Sequence, residues 1–133
     1  MDNSKQSSTT ISNIGVAMFT IADQDAAIAF YTQTLGWALR ADVPFGDEGG
    51  NRWVEVAPPG SAARLALNPP MDGTPGGSAI GVETPDVDAE YARVQALDGV
   101  TAAEPMGGVG PVPKMFSIKD PDGNHIWVVQ TQA

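Results

Sequence analysis

Residues 21–37 read IADQDAAIAFYTQTLGW, and residues 85–100 read PDVDAEYARVQALDGV. Each stretch carries an aspartate placed to cap a helix, Asp23 in the first and Asp86 in the second. Such a carboxylate accepts from the free N–H groups of a first helical turn. Helically spaced side chains follow: Ala27, Phe30, Tyr31, Thr34 and Leu35, then Val87, Tyr91, Val94 and Leu97. Each stretch then meets a glycine, Gly36 or Gly99, the residue that most readily takes the left-handed conformation ending a helix. Asp23 and Asp86 are 63 positions apart, as are Asp25 and Asp88, Gly36 and Gly99, Pro58 and Pro121, and Gly60 and Gly123. Helix starts, helix stops and turns recurring at one offset define an internal repeat.

The segments around the helices read as strands. From about residue 11 to 23 the chain alternates, with Ala17, Phe19 and Ile21 on one face and Val16, Met18 and Thr20 on the other. Strands are expected near 37–43, at 52–57 and at 64–68, separated by the Gly-rich loop PFGDEGGN (44–51) and a PPG turn. The second half repeats the order with a strand at 79–84, its helix, another strand, the loop EPMGGVGPVPK (104–114) and the hairpin MFSIKDPDGNHIWVV. The fold class is therefore α+β, with two βαβββ modules. Module one runs over about 11–67 and module two over about 79–130, joined by a linker at 68–78. Together they form one domain over 11–133 behind a disordered tail at 1–10. A lone unit of about 60 residues is marginally stable, so the two are expected to share a core.

Composition limits the chemistry. The 133 residues include no cysteine and one histidine, His125. Disulfides, thiolate nucleophiles and sites built on several imidazoles are thereby excluded. Acids outnumber bases 16 to 7, giving a formal charge of −9. Such a surface repels phosphate backbones and anionic lipid and attracts cations, so neither nucleic acid nor membrane is an expected partner. No apolar run reaches the roughly 18 residues of a membrane span. The polar start MDNSKQSSTT lacks the apolar stretch of a signal peptide, and a soluble cytoplasmic protein is expected.

The stretches 21–37, 85–100 and FSIKDPDGNHIWVVQ (116–130) resemble the vicinal oxygen chelate superfamily of glyoxalase, bleomycin-resistance and extradiol-dioxygenase proteins. The resemblance implies two βαβββ modules curled into an incomplete mixed β-barrel around a ligand cavity, and frequent homodimers. In metal-dependent members, His, Gln or Glu side chains on four strands hold a divalent ion. The matching positions here carry Val16, Ala79, Trp127 and either Ala66 or Arg64. None offers a lone pair to a metal, so no metal and no other cofactor is expected. Asp120, Asp122 and Asn124 superficially suggest a calcium loop. Gly123 stands fourth rather than sixth, however, and a tight turn is the better reading.

Strand parity selects a cavity wall. Phe116, Ile118, Ile126 and Val128 suit the helix-packed face, leaving Met115, Ser117, Lys119, His125, Trp127 and Val129 for the cavity. In strand 52–57 the 63-residue offset would set Glu55 opposite Ile118 in the core. Hydrophobicity instead buries Val54 and Val56 and turns Trp53 and Glu55 to the cavity, which avoids an unpaired buried carboxylate. The expected ligand-binding set is Val16, Met18, Trp53, Glu55, Glu83, Met115, His125 and Trp127. Indole faces and two carboxylates suit a cationic or planar compound, at about 0.5–2 kcal/mol per cation–π contact. Arg40, Arg52 or Arg64 could instead neutralise a carboxylate or admit an anion. The expected function is metal-free small-molecule binding, as in drug-sequestering resistance proteins. The alternatives are a metal-independent lyase or isomerase with Glu83 or Glu55 as general base, and a metal-dependent glyoxalase-type lyase or dioxygenase-related enzyme. The loops at 44–51 and 104–114 occupy equivalent points and could act as lids.

Overall fold

The computed structural model describes residues 9–44 and 52–131. The proposed tail at 1–10 and the first candidate lid at 44–51 fall largely outside these residues. Module one contains β1 (Val16–Thr20), α1 (Gln24–Ala29), β2 (Ala38–Pro44), β3 (Arg52–Ala57) and β4 (Arg64–Asn68). Module two contains β5 (Ala79–Thr84), α2 (Val87–Gln95), β6 (Thr101–Ala102), β7 (Met115–Lys119) and β8 (His125–Gln130). The strands form two four-stranded mixed sheets, ordered β1-β4-β3-β2 and β5-β8-β7-β6, that do not close into a barrel. This is the expected pair of βαβββ modules.

The helices begin where their aspartates predict. Asp23 accepts from the Ala26 N–H and Asp86 from the Ala89 N–H, each at 3.0 Å. Replacing Asp86 with alanine is expected to lower stability by about 1 kcal/mol, read as a reduced urea midpoint. The first helix departs from the simple expectation after Ala29. Phe30–Thr34 winds into a π-turn, and the Leu35 N–H reaches the Phe30 carbonyl at 2.9 Å. That wider turn buries the adjacent Phe30 and Tyr31 together, with ring centroids 5.2 Å apart. Gly36 then ends the segment at φ +85°.

Parity correctly identifies the core faces. Phe19, Ile21, Val54, Val56, Leu65 and Leu67 of the first sheet are buried beneath the helices. So are Phe116, Ile118, Ile126 and Val128 of the second, in one cluster spanning both modules. Strand register settles the conflict over Glu55. Glu55 pairs with Ala66, and Ser117 pairs with Trp127. Met18 in turn aligns with Ala66 as Gly81 does with Trp127. Glu55 therefore corresponds to Ser117, one residue short of the 63-residue offset, and Ala66 corresponds to Trp127, two short. The modules differ in loop length, so an offset valid for β1 and α1 drifts along the later strands.

The modules are joined at the turn following β7. The buried Asp120 accepts from Tyr31 Oη at 2.9 Å and from Asn124 Nδ2 at 3.0 Å. Its other oxygen accepts from the Asp122 and Asn124 N–H groups at 2.9 and 2.8 Å. The turn reading of this motif is thus right for the backbone, and the same carboxylate also reaches module one. Asn124 donates to the Thr20 carbonyl at 3.0 Å, and Asp122 accepts from the Ala22 N–H at 3.0 Å. The linker is pinned to the same place: Gly76 N–H reaches Thr20, and Ser78 N–H reaches Asn124 Oδ1. A β-carbon on Gly76 would collide with the Asp122 carbonyl, so only glycine fits this approach.

Candidate functional site

On the face of the first sheet turned away from its helix, Glu55 lies between two alanines in register, Ala41 on β2 and Ala66 on β4. Their small side chains leave room over the strand for the longer side chains of Trp53 and Arg64. Trp53 Nε1 donates to one Glu55 oxygen at 2.9 Å, and Arg64 Nε meets the other at 2.8 Å. Glu55 is only 8% exposed yet fully partnered. Of the alternatives open from sequence, Arg64 neutralises the carboxylate. This face therefore carries a neutral ion pair beside an indole, with Val16 and the 57%-exposed Met18 on the neighbouring edge strand.

The other arginines are also engaged. Arg52 bridges Asp25 at 2.6 Å and Asp42 at 2.8 Å. A bulge between Leu39 and Ala41 turns Arg40 toward the β3–β4 turn, where it donates to the Ser61 carbonyl at 3.0 Å.

The second sheet presents Met115, His125 and Trp127 on its corresponding face, with His125 opposite Lys119 across the hairpin. The loop at 104–114 is tied to this sheet by an antiparallel bridge between Met106 and Met115. It leaves Met106 and Val109 exposed. Glu83, exposed on the edge strand β5, pairs with Val129 and so shares this face with Met115 and Trp127.

A cleft of about 790 Å³ opens at the seam of the modules, lined by Trp37, Pro58, Arg64, Ile80 and Glu83. A smaller chamber of about 380 Å³ adjoins it and extends to Glu90 and Arg93. Of the eight residues expected from sequence, only Glu83 lines the cleft. Trp37 escapes sequence reasoning because it reads as the start of a strand. A tryptophan immediately after a helix-ending glycine was the available signal.

Register makes Ala66, rather than Arg64, the module-one equivalent of Trp127. Val16, Ala66, Ala79 and Trp127 provide no donor atom, so this set does not fit a divalent ion. Among the described residues, no three His, Cys, Asp or Glu side chains are grouped to hold a metal. Tyr31 is the ionisable group most strongly perturbed. Burial first, and then the charge of Asp120, hold its phenol far above the usual range. It is a structural donor rather than an acid or base for a ligand.

The Glyoxalase/Bleomycin resistance protein/Dioxygenase superfamily model matches residues 13–128. A glyoxalase/bleomycin resistance/dioxygenase superfamily member from Sphaerobacter thermophilus is 30% identical, with TM-score 0.79, covering 92% of this chain and all of that one. TnmS3 from Streptomyces sp. CB03234, an antibiotic binding protein, is 34% identical, with TM-score 0.75 and coverage of 93% and 99%. A probable lactoylglutathione lyase of Vibrio cholerae is 28% identical over 127 residues, covering 86% of this chain and 88% of that protein. The uncharacterized protein YetH of Bacillus subtilis is 39% identical over 59 residues, 44% of this chain and 48% of YetH, so the match spans about half of that relative. Among the described residues no helix is long and apolar enough to cross a membrane. With the paired modules, the capped helices and the match over most of its length, the chain belongs to the glyoxalase/bleomycin resistance protein/dioxygenase superfamily.

Proposed function

We propose that this protein binds a small organic molecule without chemistry at the family's metal site, as a cytoplasmic drug-sequestering protein would. The observation carrying this reading is the side chains at the four ligand positions: three small or branched apolar residues and Trp127. They replace metal donors with a surface suited to flat apolar groups. Trp53, Met18 and Met115 extend that surface, and the antibiotic-binding relative TnmS3 supports the reading. The neutral Glu55–Arg64 pair favours planarity over positive charge as the recognised property of the first sheet. A homodimer would set the open face of one sheet against the other sheet of a second copy, covering Met18 and Val43, which are 57% and 51% exposed.

Titration of tryptophan emission with a panel of planar and bleomycin-like compounds tests this reading. Saturable quenching is expected, with an affinity unchanged by a metal chelator. A normally folded protein that responds to no compound would defeat it. The second reading, a glyoxalase-type lyase, draws on the Vibrio cholerae relative. In that case the hemithioacetal of methylglyoxal and glutathione would be turned over after adding nickel or zinc. Glu55, with both oxygens occupied, is poorly placed as the base.

A further inference from the structure

The repeat gives the two modules two equivalent ends of contact: one is closed by a buried side-chain network, the other is bridged by Arg93 donating to the Leu35 carbonyl at 3.2 Å. At the closed end, Asp120 and Asn124 of module two bond to Tyr31 and Thr20 of module one. By strand register, the residues corresponding to Asp120 and Asn124 are Pro58 and Ala63. Their counterpart targets, by the offset of the helix caps, are Val94 and Glu83. Proline and alanine side chains cannot form the hydrogen bonds made by aspartate and asparagine. The turn at 58–63 therefore has no such side-chain bonds to dock with, and the cleft of about 790 Å³ lies at this end. That volume is within the range that encloses drug-sized ligands.

Among the described residues, the cleft has apolar walls and one charge without a side-chain partner. Trp37 and Pro58 belong to module one, Ile80 and Val82 to module two. Both bordering arginines are already paired. Arg64 meets Glu55 at 2.8 Å, and Arg93 meets Glu90 at 2.7 Å while also donating to the Leu35 carbonyl. Glu83 has no hydrogen-bonding or ionic side-chain partner among the described residues. An unpaired carboxylate beside an indole complements a positive charge on an apolar body.

We infer that the cleft between the modules binds a small planar organic cation, its flat body against Trp37 and Ile80 and its charged nitrogen past the β5 edge toward Glu83, which leaves the opposite face of that strand. The flat body would lie away from Trp53 and Trp127, while Glu83 shares the open face of the second sheet with Trp127 by register. This assignment rests on the asymmetry of the two module contacts.

Calorimetric titration with 9-aminoacridine, protonated at mildly alkaline pH, and with neutral acridine under the same conditions tests the inference. The cation is expected to bind more tightly than its neutral counterpart. Glu83→Gln should weaken 9-aminoacridine about tenfold, leaving acridine unchanged. Ala63→Phe, which places a ring in the cleft, should weaken both, with an unaltered circular dichroism spectrum confirming the fold. Equal 9-aminoacridine affinities for the parent and Glu83→Gln would overturn the inference. Weakening by Trp127→Phe but not by Glu83→Gln would place the cation on the sheet face, sinking this inference while sparing the proposed function. An affinity that falls as the protein self-associates would assign the cleft to a second copy and also overturn it.

Discussion

Asp120→Ala is expected to lower folding stability by about 3–5 kcal/mol, measured by urea denaturation. Asp120 is 3% exposed and accepts four hydrogen bonds, including the one from Tyr31 Oη that crosses between modules. Its removal leaves the buried tyrosine hydroxyl and Asn124 amide each short of an acceptor and undoes the turn that seats on Thr20. Tyr31→Phe should cost less, about 1–2 kcal/mol, because Asp120 keeps its other donors. A loss below 1 kcal/mol in Asp120→Ala would mean that the modules hold together without this lock. The same tyrosine contributes to the loss of stability at alkaline pH. Burial, reinforced by the Asp120 charge, raises the Tyr31 phenol pKa. The folded state then retains a proton that the unfolded state releases. This contribution is complete below about pH 10 and declines as pH rises further, by up to about 1.4 kcal/mol per pH unit. In Tyr31→Phe that share of the decline should vanish.

Which of these features could be read from sequence follows from the range of the forces that set them. Asp23, Asp86 and Gly36 declare themselves because caps and stops satisfy requirements within one turn of chain. The face of β3 was legible too, since burying Val54 and Val56 is favourable while burying an unpaired Glu55 is not. The 63-residue spacing misled only where loop lengths differ between modules, along β3 and β4. The π-turn at 30–34 was hidden because Phe30, Tyr31 and Leu35 fit an ordinary helical face equally well. The cleft was hidden for a larger reason. It depends on how one module sits against the other, a relation set by the missing bonds of Pro58 and Ala63 as much as by any bond present. Tyr31 was rightly placed in the core, but its partner lies 89 residues away, and no local pattern names it.

Arg64→Met is expected to destabilise the protein by about 2–3 kcal/mol, measured by urea midpoint, whereas Glu55→Met combined with Arg64→Met should return to within about 1 kcal/mol of the parent. The single change leaves the Glu55 carboxylate, with a side chain 11% exposed, on the Trp53 indole N–H alone. The loss stays below that of a fully buried pair because the Arg64 side chain is 38% exposed, so water already screens the interaction. In the double variant neither charge must be desolvated, and thioether chains of similar length cover Ala41 and Ala66. The partly exposed Trp53 can give its N–H to water. If the double variant is as unstable as the single one, the pair itself stabilises the fold. If it recovers, the fold gains little from the pair, and its consequence lies on the sheet face. There it keeps a polar, electrically neutral surface beside Trp53, so Arg64→Met, by baring one negative charge, should shift the panel's preference from neutral planar compounds toward cations.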